Sequence, residues 1–178
     1  MNEFLDVTPL HFGKISREYL TLIKDFDCGK EVVNNFLKIE ALKLHELRKV
    51  ITHLAFDENQ NLVGYFSLFN ESVTIVKSKR EQQNWDDIRS EKSIFPAIRL
   101  HFLGVNKDYQ GRGYGEQLLF EAIAIVKSIS TDSGCNFITL ETQSDTIQFY
   151  IDRMFVRLKQ SDHDHSYNDM CLRFDWYY

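Results

Sequence analysis

Gln110-Gly111-Arg112-Gly113-Tyr114-Gly115 is the stretch on which the reading of this chain turns. Upstream lies a strand-like run, Ile98 to Val105, holding Leu100, Phe102 and Leu103. Downstream, from Glu116 to Ser128, Leu118, Leu119, Ala122, Ile123, Ile125 and Val126 recur at helical spacing. Three glycines therefore sit where a strand becomes a helix. At such a junction the first helical N–H groups have no intrahelical partners, and the helix dipole adds partial positive charge. Together they make an anion site, and glycine lets a phosphate come close to the main chain. A plain tight turn is the alternative. The spacing is not that of a P-loop, because no Gly-Lys-Ser/Thr follows, and Gly111, Gly113 and Gly115 do not match G-x-G-x-x-G.

Composition bounds the rest. At 178 residues, 43% hydrophobic and 26% charged, the chain fits one globular domain, residues 1–178, with a substantial core. No apolar run reaches the roughly 20 residues that span a bilayer, and the opening residues lack a signal-peptide pattern, so no membrane partner and a cytoplasmic location are expected. A formal net charge of −5 argues against broad nonspecific binding to nucleic acid. Cys28, Cys135 and Cys171 are too few and too widely spaced for a disulfide framework or a zinc site and read as reduced thiols. Asp162-His163-Asp164-His165 matches no standard metal spacing and reads as a solvated hairpin, so no metal is expected. Lys77, Lys79 and Arg80, followed by Glu81, Asp86 and Asp87, read as a mixed-charge loop, and the aromatic ending Phe174 to Tyr178 as a strand end or a partner-covering patch.

Along the chain, residues 3–10 read as a first strand and Lys14 to Leu22 as a short helix. The apolar positions Val32, Val33, Phe36, Leu37, Ile39, Ala41, Leu42 and Leu44 predict a helix from about Glu31 to Arg48, with His45 on its surface. Val50 to Phe56 and Leu62 to Phe69 read as strands flanking the turn Asp57 to Asn61, and Ser72 to Val76 as an extension of the sheet. Ile98 to Val105, Phe137 to Thr142, Phe155 to Lys159 and Met170 to Trp176 are further strands, with a helix over Asp145 to Arg153.

Gln110, Gly113 and Gly115 stand at the three fixed positions of the acetyl-CoA motif Q/R-x-x-G-x-G/A, and on this ground the chain resembles the GNAT superfamily of N-acetyltransferases. Leu103 to Tyr109 resembles that family's lead-in, and Thr146 to Phe155, with Phe149, Tyr150 and Phe155, resembles its later helix and strand; Met154 departs from the usual glycine. The resemblance implies an α/β fold: a central, mostly antiparallel mixed sheet of six to seven strands, about four flanking helices, and a V-shaped splay between two central parallel strands. It implies an acetyl-CoA-dependent N-acetyltransferase in which the turn around Gly111, through the amides of Arg112, Gly113, Tyr114, Gly115 and Glu116, holds the CoA pyrophosphate. The backbones of Leu103 and Val105 would hold the pantetheine arm, and Tyr150 would protonate the leaving thiolate. A phenol suits that task, being neutral at pH 7 with a pKa near ~10. The alternative for Tyr150 is a helix residue packing beneath the sheet.

An attacking amine must be neutral, which calls for a base. His101 is the candidate, against the reading of a packed strand histidine, and Glu141 is the second candidate. The acceptor stays open among a small-molecule amine, a protein amine and aminoacyl-tRNA. The last follows from a narrower resemblance to GNAT toxins of toxin–antitoxin pairs, carried by Phe26-Asp27-Cys28-Gly29, Asn34-Asn35-Phe36-Leu37, Ala41-Leu42 and Pro96. The acidic composition, and Leu100-His101-Phe102-Leu103-Gly104-Val105 in place of G-R-L-A-V, depart from that branch. An antitoxin is the partner that this narrower resemblance would bring, and a homodimer the one that the wider family would. Two other classes remain alongside: a non-catalytic acyl-CoA-binding module, and a nucleotide-binding α/β protein.

Overall fold

A computed structural model describes residues 8–85, 93–160 and 166–174. Its strands are β1 (His11–Lys14), β2 (Ile51–Phe56), β3 (Leu62–Thr74), β4 (Ile94–Val105), β5 (Phe137–Gln143), β6 (Val156–Gln160) and β7 (Tyr167–Arg173), in the sheet order β1-β2-β3-β4-β5-β7-β6. The sheet is mixed: β4 and β5 are parallel, while β1–β2, β2–β3, β5–β7 and β6–β7 are antiparallel. The α-helical segments are α1 (Leu20–Asp25), α2 (Glu31–Asn35), α3 (Ala41–Glu46), α4 (Lys77–Gln82), α5 (Tyr114–Asp132) and α6 (Ile147–Ile151). A π-helical turn, Phe36–Glu40, joins α2 to α3 without a break, so the predicted long helix is present from Glu31 to Glu46.

The chain divides into two compact units that are interleaved in sequence. One takes residues 1–69 and 101–124, the other 70–100 and 125–178. In the first, Ile23, Phe26, Val33, Phe36, Leu37 and Ala41 from the helical face bury against Leu54, Phe56, Leu62 and Tyr65 of the strands. Of the periodic apolar residues of the sequence, Val33, Phe36, Leu37 and Ala41 are buried there with Leu42 and Leu44 packed against them, while Val32 and Ile39 are exposed; non-directional burial of that apolar area is the main stabilising term. In the second, Val73, Ile75, Trp85, Phe95, Ala97, Phe137 and Cys171 form the core.

Several expectations shift. The first described strand is His11–Lys14, while part of residues 3–10 lies outside the described residues. The first helix begins at Leu20, behind a 3-10 turn at Arg17–Tyr19. Strand β4 starts at Ile94, ahead of Pro96, and the expected sheet extension is a continuation of β3 to Thr74. The mixed-charge loop is helix α4 over Lys77–Gln82, which raises the helical segments from about four to five among the described residues when α2–α3 counts as one. It is held by Arg80, whose guanidinium donates to the Ile75 carbonyl at 2.6 Å and the Ser93 hydroxyl at 2.9 Å. Asp162 to His165 and residues 175–178 lie outside the described residues.

His53 on β2 is opposite Lys14 of β1 and stacks flat on Phe66 of β3, ring centroids 4.9 Å apart. Burial, then the Lys14 charge and His45, push its pKa down to about 4. Between pH ~6.5 and 4 the unfolded chain binds a proton there that the folded chain refuses, so this contribution is complete above pH ~6.5 and is lost as pH falls towards 4. We expect the urea midpoint to fall over that window, and His53→Gln to flatten the slope. An unchanged slope in the variant would remove His53 from the account.

Candidate functional site

The predicted anion turn is a bend closed by two left-handed glycines. Gly111 has φ +75° and Gly113 φ +84°, a region that favours glycine. A Cβ on Gly111 would meet no atom within 4 Å, so its backbone angle, not space, is what requires glycine. The Gly113 carbonyl accepts from the amides of Glu116 at 3.1 Å and Gln117 at 3.3 Å. Helix α5 thus closes its first turn on Gly113, and the amides of Arg112, Gly113, Tyr114 and Gly115 precede that bond. These four are the groups a helix leaves for an external acceptor. The Glu116 amide is already engaged inside the turn, which separates it from the other four expected donors.

Two aspartates hold the lead-in to this turn. Asp27, in the loop before α2, accepts from Lys107 Nζ at 2.6 Å, Asn34 Nδ2 at 2.8 Å and the Gly29 amide at 2.9 Å, and its carbonyl accepts the Lys107 amide at 2.8 Å. The Lys107 bond first, then those of Gly29 and Asn34, hold its carboxyl well below the usual range. Asp57, in the β2–β3 turn, accepts the Tyr109 hydroxyl at 2.9 Å. Although desolvation works against it, bonds from Asn61, Tyr109 and Asn59 lower its pKa. Gln110 does not reach outward. Its Nε2 donates to the carbonyls of Val105 and Cys28, each at 2.9 Å, stapling the end of β4 to the loop. Arg112 is exposed, with its guanidinium 5.8 Å from the Tyr109 ring centre.

Strand β4 carries Leu103 and Val105 at its end. The β4–β5 register runs from Ala97↔Phe137 to Leu100↔Leu140, while β4 continues to Val105 and β5 to Gln143. Leu103 and Val105 are half-buried, and Asn106 donates its amide to the Val63 carbonyl at 2.8 Å.

Tyr150 is half-buried on α6, between Phe149 at 5.0 Å and Phe155 at 5.5 Å, both edge-on. Desolvation pushes its pKa up to about 12, against a smaller lowering by Arg153, so the phenol keeps its proton across the physiological range. After α6, Met154 has φ +67° and is 79% exposed. Where the resembling motif has glycine, this chain places a methionine in a left-handed conformation.

His101 sits half-buried in an aromatic cage, 5.0 Å from Phe36, 5.3 Å from Phe69 and 4.3 Å from Phe102. Glu141 is exposed and pairs with Arg99 at 3.6 Å. Arg99 also pairs with Glu71 at 3.5 Å, and Glu71 accepts a short hydrogen bond from Thr139. Glu71, Arg99 and Thr139 line a cavity of about 300 Å³ that also includes Lys79, Leu158 and Asp169. Sequence reasoning missed Glu71 and Arg99. The one available signal was a single acidic residue within β3 and a single arginine within β4.

The chain matches the acetyltransferase (GNAT) family model over residues 21–154. It is 23% identical over 117 residues to a protein described as probable toxin TacT of Sinorhizobium fredii, a match that covers 65% of this chain and 63% of that one. Its fold resembles AtaT complexed with acetyl-methionyl-tRNAfMet, with TM-score 0.74, 20% identity, and 90% and 94% of the two chains covered. It also resembles a tyrosine-to-phenylalanine mutant of the AtaT toxin bound to the C-terminus of the antitoxin AtaR and acetyl-CoA, with TM-score 0.70, 19% identity and 92% of each chain.

Met154→Gly should relieve the left-handed strain with little packing lost. The expected gain is about 0.5–1 kcal/mol, read as a melting temperature higher by roughly 2 °C. A lower melting temperature would mean that the methionine side chain contributes contacts outweighing its backbone cost.

Proposed function

This chain belongs to the acetyltransferase (GNAT) family, and on that premise we propose that it transfers an acetyl group from acetyl-CoA directly to a primary amine. The observation that carries the reading is the glycine-built turn whose amides from Arg112 to Gly115 precede the first intrahelical bond of α5. Residues fit the ligand's parts: four unspent amides at a helix start suit a pyrophosphate, and the backbone at the end of β4 suits an extended, amide-bearing arm. Acetyl-CoA supplies the activated thioester. The Leu103 amide is assigned to the thioester carbonyl, where a fixed donor stabilises developing negative charge.

Tyr150 is assigned as general acid. As the new N–C bond forms and the C–S bond breaks, its hydroxyl proton passes to sulfur. A phenol held at a pKa of about 12 is protonated at neutral pH, so it has a proton to give as negative charge develops on the departing sulfur. The amine proton leaves to a base, for which His101 and Glu141 are the two candidates. The one-domain reading of residues 1–178 belongs to this proposal, because no single cut in the chain separates the two interleaved units. So does a cytoplasmic location, where the free thiols of Cys28, Cys135 and Cys171 would persist.

A second reading of the acceptor, the amino group of aminoacyl-tRNA with an antitoxin as partner, draws on the Phe26–Gly29 segment and on the fold likeness to toxins of that kind. The net charge of −5 weighs on the other side.

Titration with acetyl-CoA should saturate in the wild type and be abolished by Gly113→Glu, which places a side chain and a negative charge in the turn. Tyr150→Phe should keep that affinity and lose about 10²-fold or more in turnover across a panel of amines that includes charged tRNA. Wild-type protein that does not bind at millimolar acetyl-CoA would end the transferase reading, and a fully active Tyr150→Phe would end the assignment of the acid. His101→Ala and Glu141→Gln, compared by the acidic limb of the pH–rate profile, separate the two candidate bases.

A further inference from the structure

The segment Phe26-Asp27-Cys28-Gly29 is far from the turn Gln110–Gly115 in sequence, yet the Asp27 carboxylate and the carbonyls of Asp27 and Cys28 are spent on Lys107 and Gln110. Asp27 grips Lys107 twice, through its carboxylate at 2.6 Å and its carbonyl at 2.8 Å. The Cys28 carbonyl takes the Gln110 side chain at 2.9 Å. Gly29 has φ +83°, and a Cβ there would stand 3.2 Å from the Lys107 Cε, so a side chain would press on the lysine stem. Asn34, in α2, closes the arrangement from behind: its Nδ2 donates to Asp27 at 2.8 Å and its Oδ1 accepts the Cys28 amide at 2.9 Å. Phe26 is buried in the core beneath, its ring 5.5 Å from that of Tyr65. The Tyr65 hydroxyl in turn donates to the Val33 carbonyl at 2.7 Å, which fastens α2 to β3.

We propose that Asp27, Lys107 and Gln110 form a clamp that positions the acetyl-CoA turn, so that these three act on cofactor affinity through the turn's backbone without touching the cofactor. The clamp explains why an aspartate, a glycine and an asparagine stand at these places far upstream of the turn. It also explains why Lys107, beside an expected anion site, is not free to serve it: its ammonium is held by Asp27, a bond that also raises its pKa. A turn of two left-handed glycines has many competing conformations, and the clamp selects one before ligand arrives, which lowers the ordering cost of binding.

The proposal rests on the acetyltransferase reading only for its affinity readout, and two measurements keep the two apart. In ligand-free protein, Lys107→Met and Asp27→Asn should each speed exchange of the hydrogen-bonded amides that frame the turn, those of Tyr109, Gln110, Glu116 and Gln117, by about tenfold while β5 and β7 keep their protection. In titrations with acetyl-CoA, each variant should bind about five- to tenfold more weakly, with kcat held, and the double variant no worse than either single. If Lys107 instead met a phosphate itself, Asp27→Asn would release it and binding would match or exceed wild type; that result, or additive losses in the double variant, overturns the clamp. So does unchanged exchange at the turn. Should wild type fail to bind acetyl-CoA, the acetyltransferase reading falls, and the exchange data alone still decide the clamp.

Discussion

The approach of three backbone elements at Gly64 is the constraint on which the candidate site depends. A Cβ built there would lie 2.7 Å from the Gly104 carbonyl oxygen and 2.8 Å from Leu118 Cδ1. One missing methyl thus lets β3 touch both the end of β4 and the first turns of α5. Leu118 is fully buried, so α5 cannot yield without losing core contacts. On the far side, Gly104 makes room for Val33, Tyr65 and Phe26, each within 3.0–3.4 Å of where its own Cβ would stand. The strand that leads into the turn and the helix that leaves it are both set by these two glycines, and the aim of the amides between them follows.

Charge is arranged locally in a way the overall balance of −5 does not reveal. The two aspartates that hold the turn's lead-in from other segments have their charge spent inward. Asp27 is matched by Lys107 and two further donors, and Asp57 by Tyr109, Asn59 and Asn61. Neither is left as a bare charge facing the helix start, where it would compete with a bound anion. An acidic protein can carry an anion site because what matters is the field at the amides, and the partial charge of a helix end acts within about one turn.

Much of the architecture could be read in the sequence because local pattern and tertiary burial agree. The glycine turn, the α5 periodicity and the core face of α2–α3 are cases where most apolar residues are buried as the pattern predicts, although Val32, Ile39 and Phe120 are exposed. The π-helical turn at Phe36–Glu40 was illegible, since one extra residue in a helix of that length barely disturbs an apolar count. Helix α4 was illegible for another reason: its residues are polar, and what holds it is Arg80 reaching the Ile75 carbonyl and Ser93, neither of which a local pattern reports. At the candidate site, residues acting through backbone could be named from the turn, whereas Glu71, Arg99 and Thr139 meet only because β3, β4 and β5 are neighbours. His101 illustrates the converse. A histidine on a central strand suggested chemistry, and the structure sets beside it and its neighbour Phe102 the rings of Phe36 and Phe69, whose chain positions gave no hint of convergence.

The bonds that shape the turn also fix when it can form. Lys107 and Asp27 are 80 residues apart, Gln110 and Cys28 are 82 apart, and the Leu10 amide reaches Gln117 across 107. Each closes a long loop whose entropy is lost before the contact returns anything. During synthesis the first 69 residues emerge with their helical face and two hairpin-forming strands, but the strand and helix that complete their unit arrive only with residues 101–124, after the intervening 70–100 of the other unit. The candidate cofactor site is accordingly a late product of folding: a nascent or truncated chain ending before β4 holds the motif's anchor and none of its turn, and the finished protein acquires its proposed ligand site and its tertiary closure in the same step.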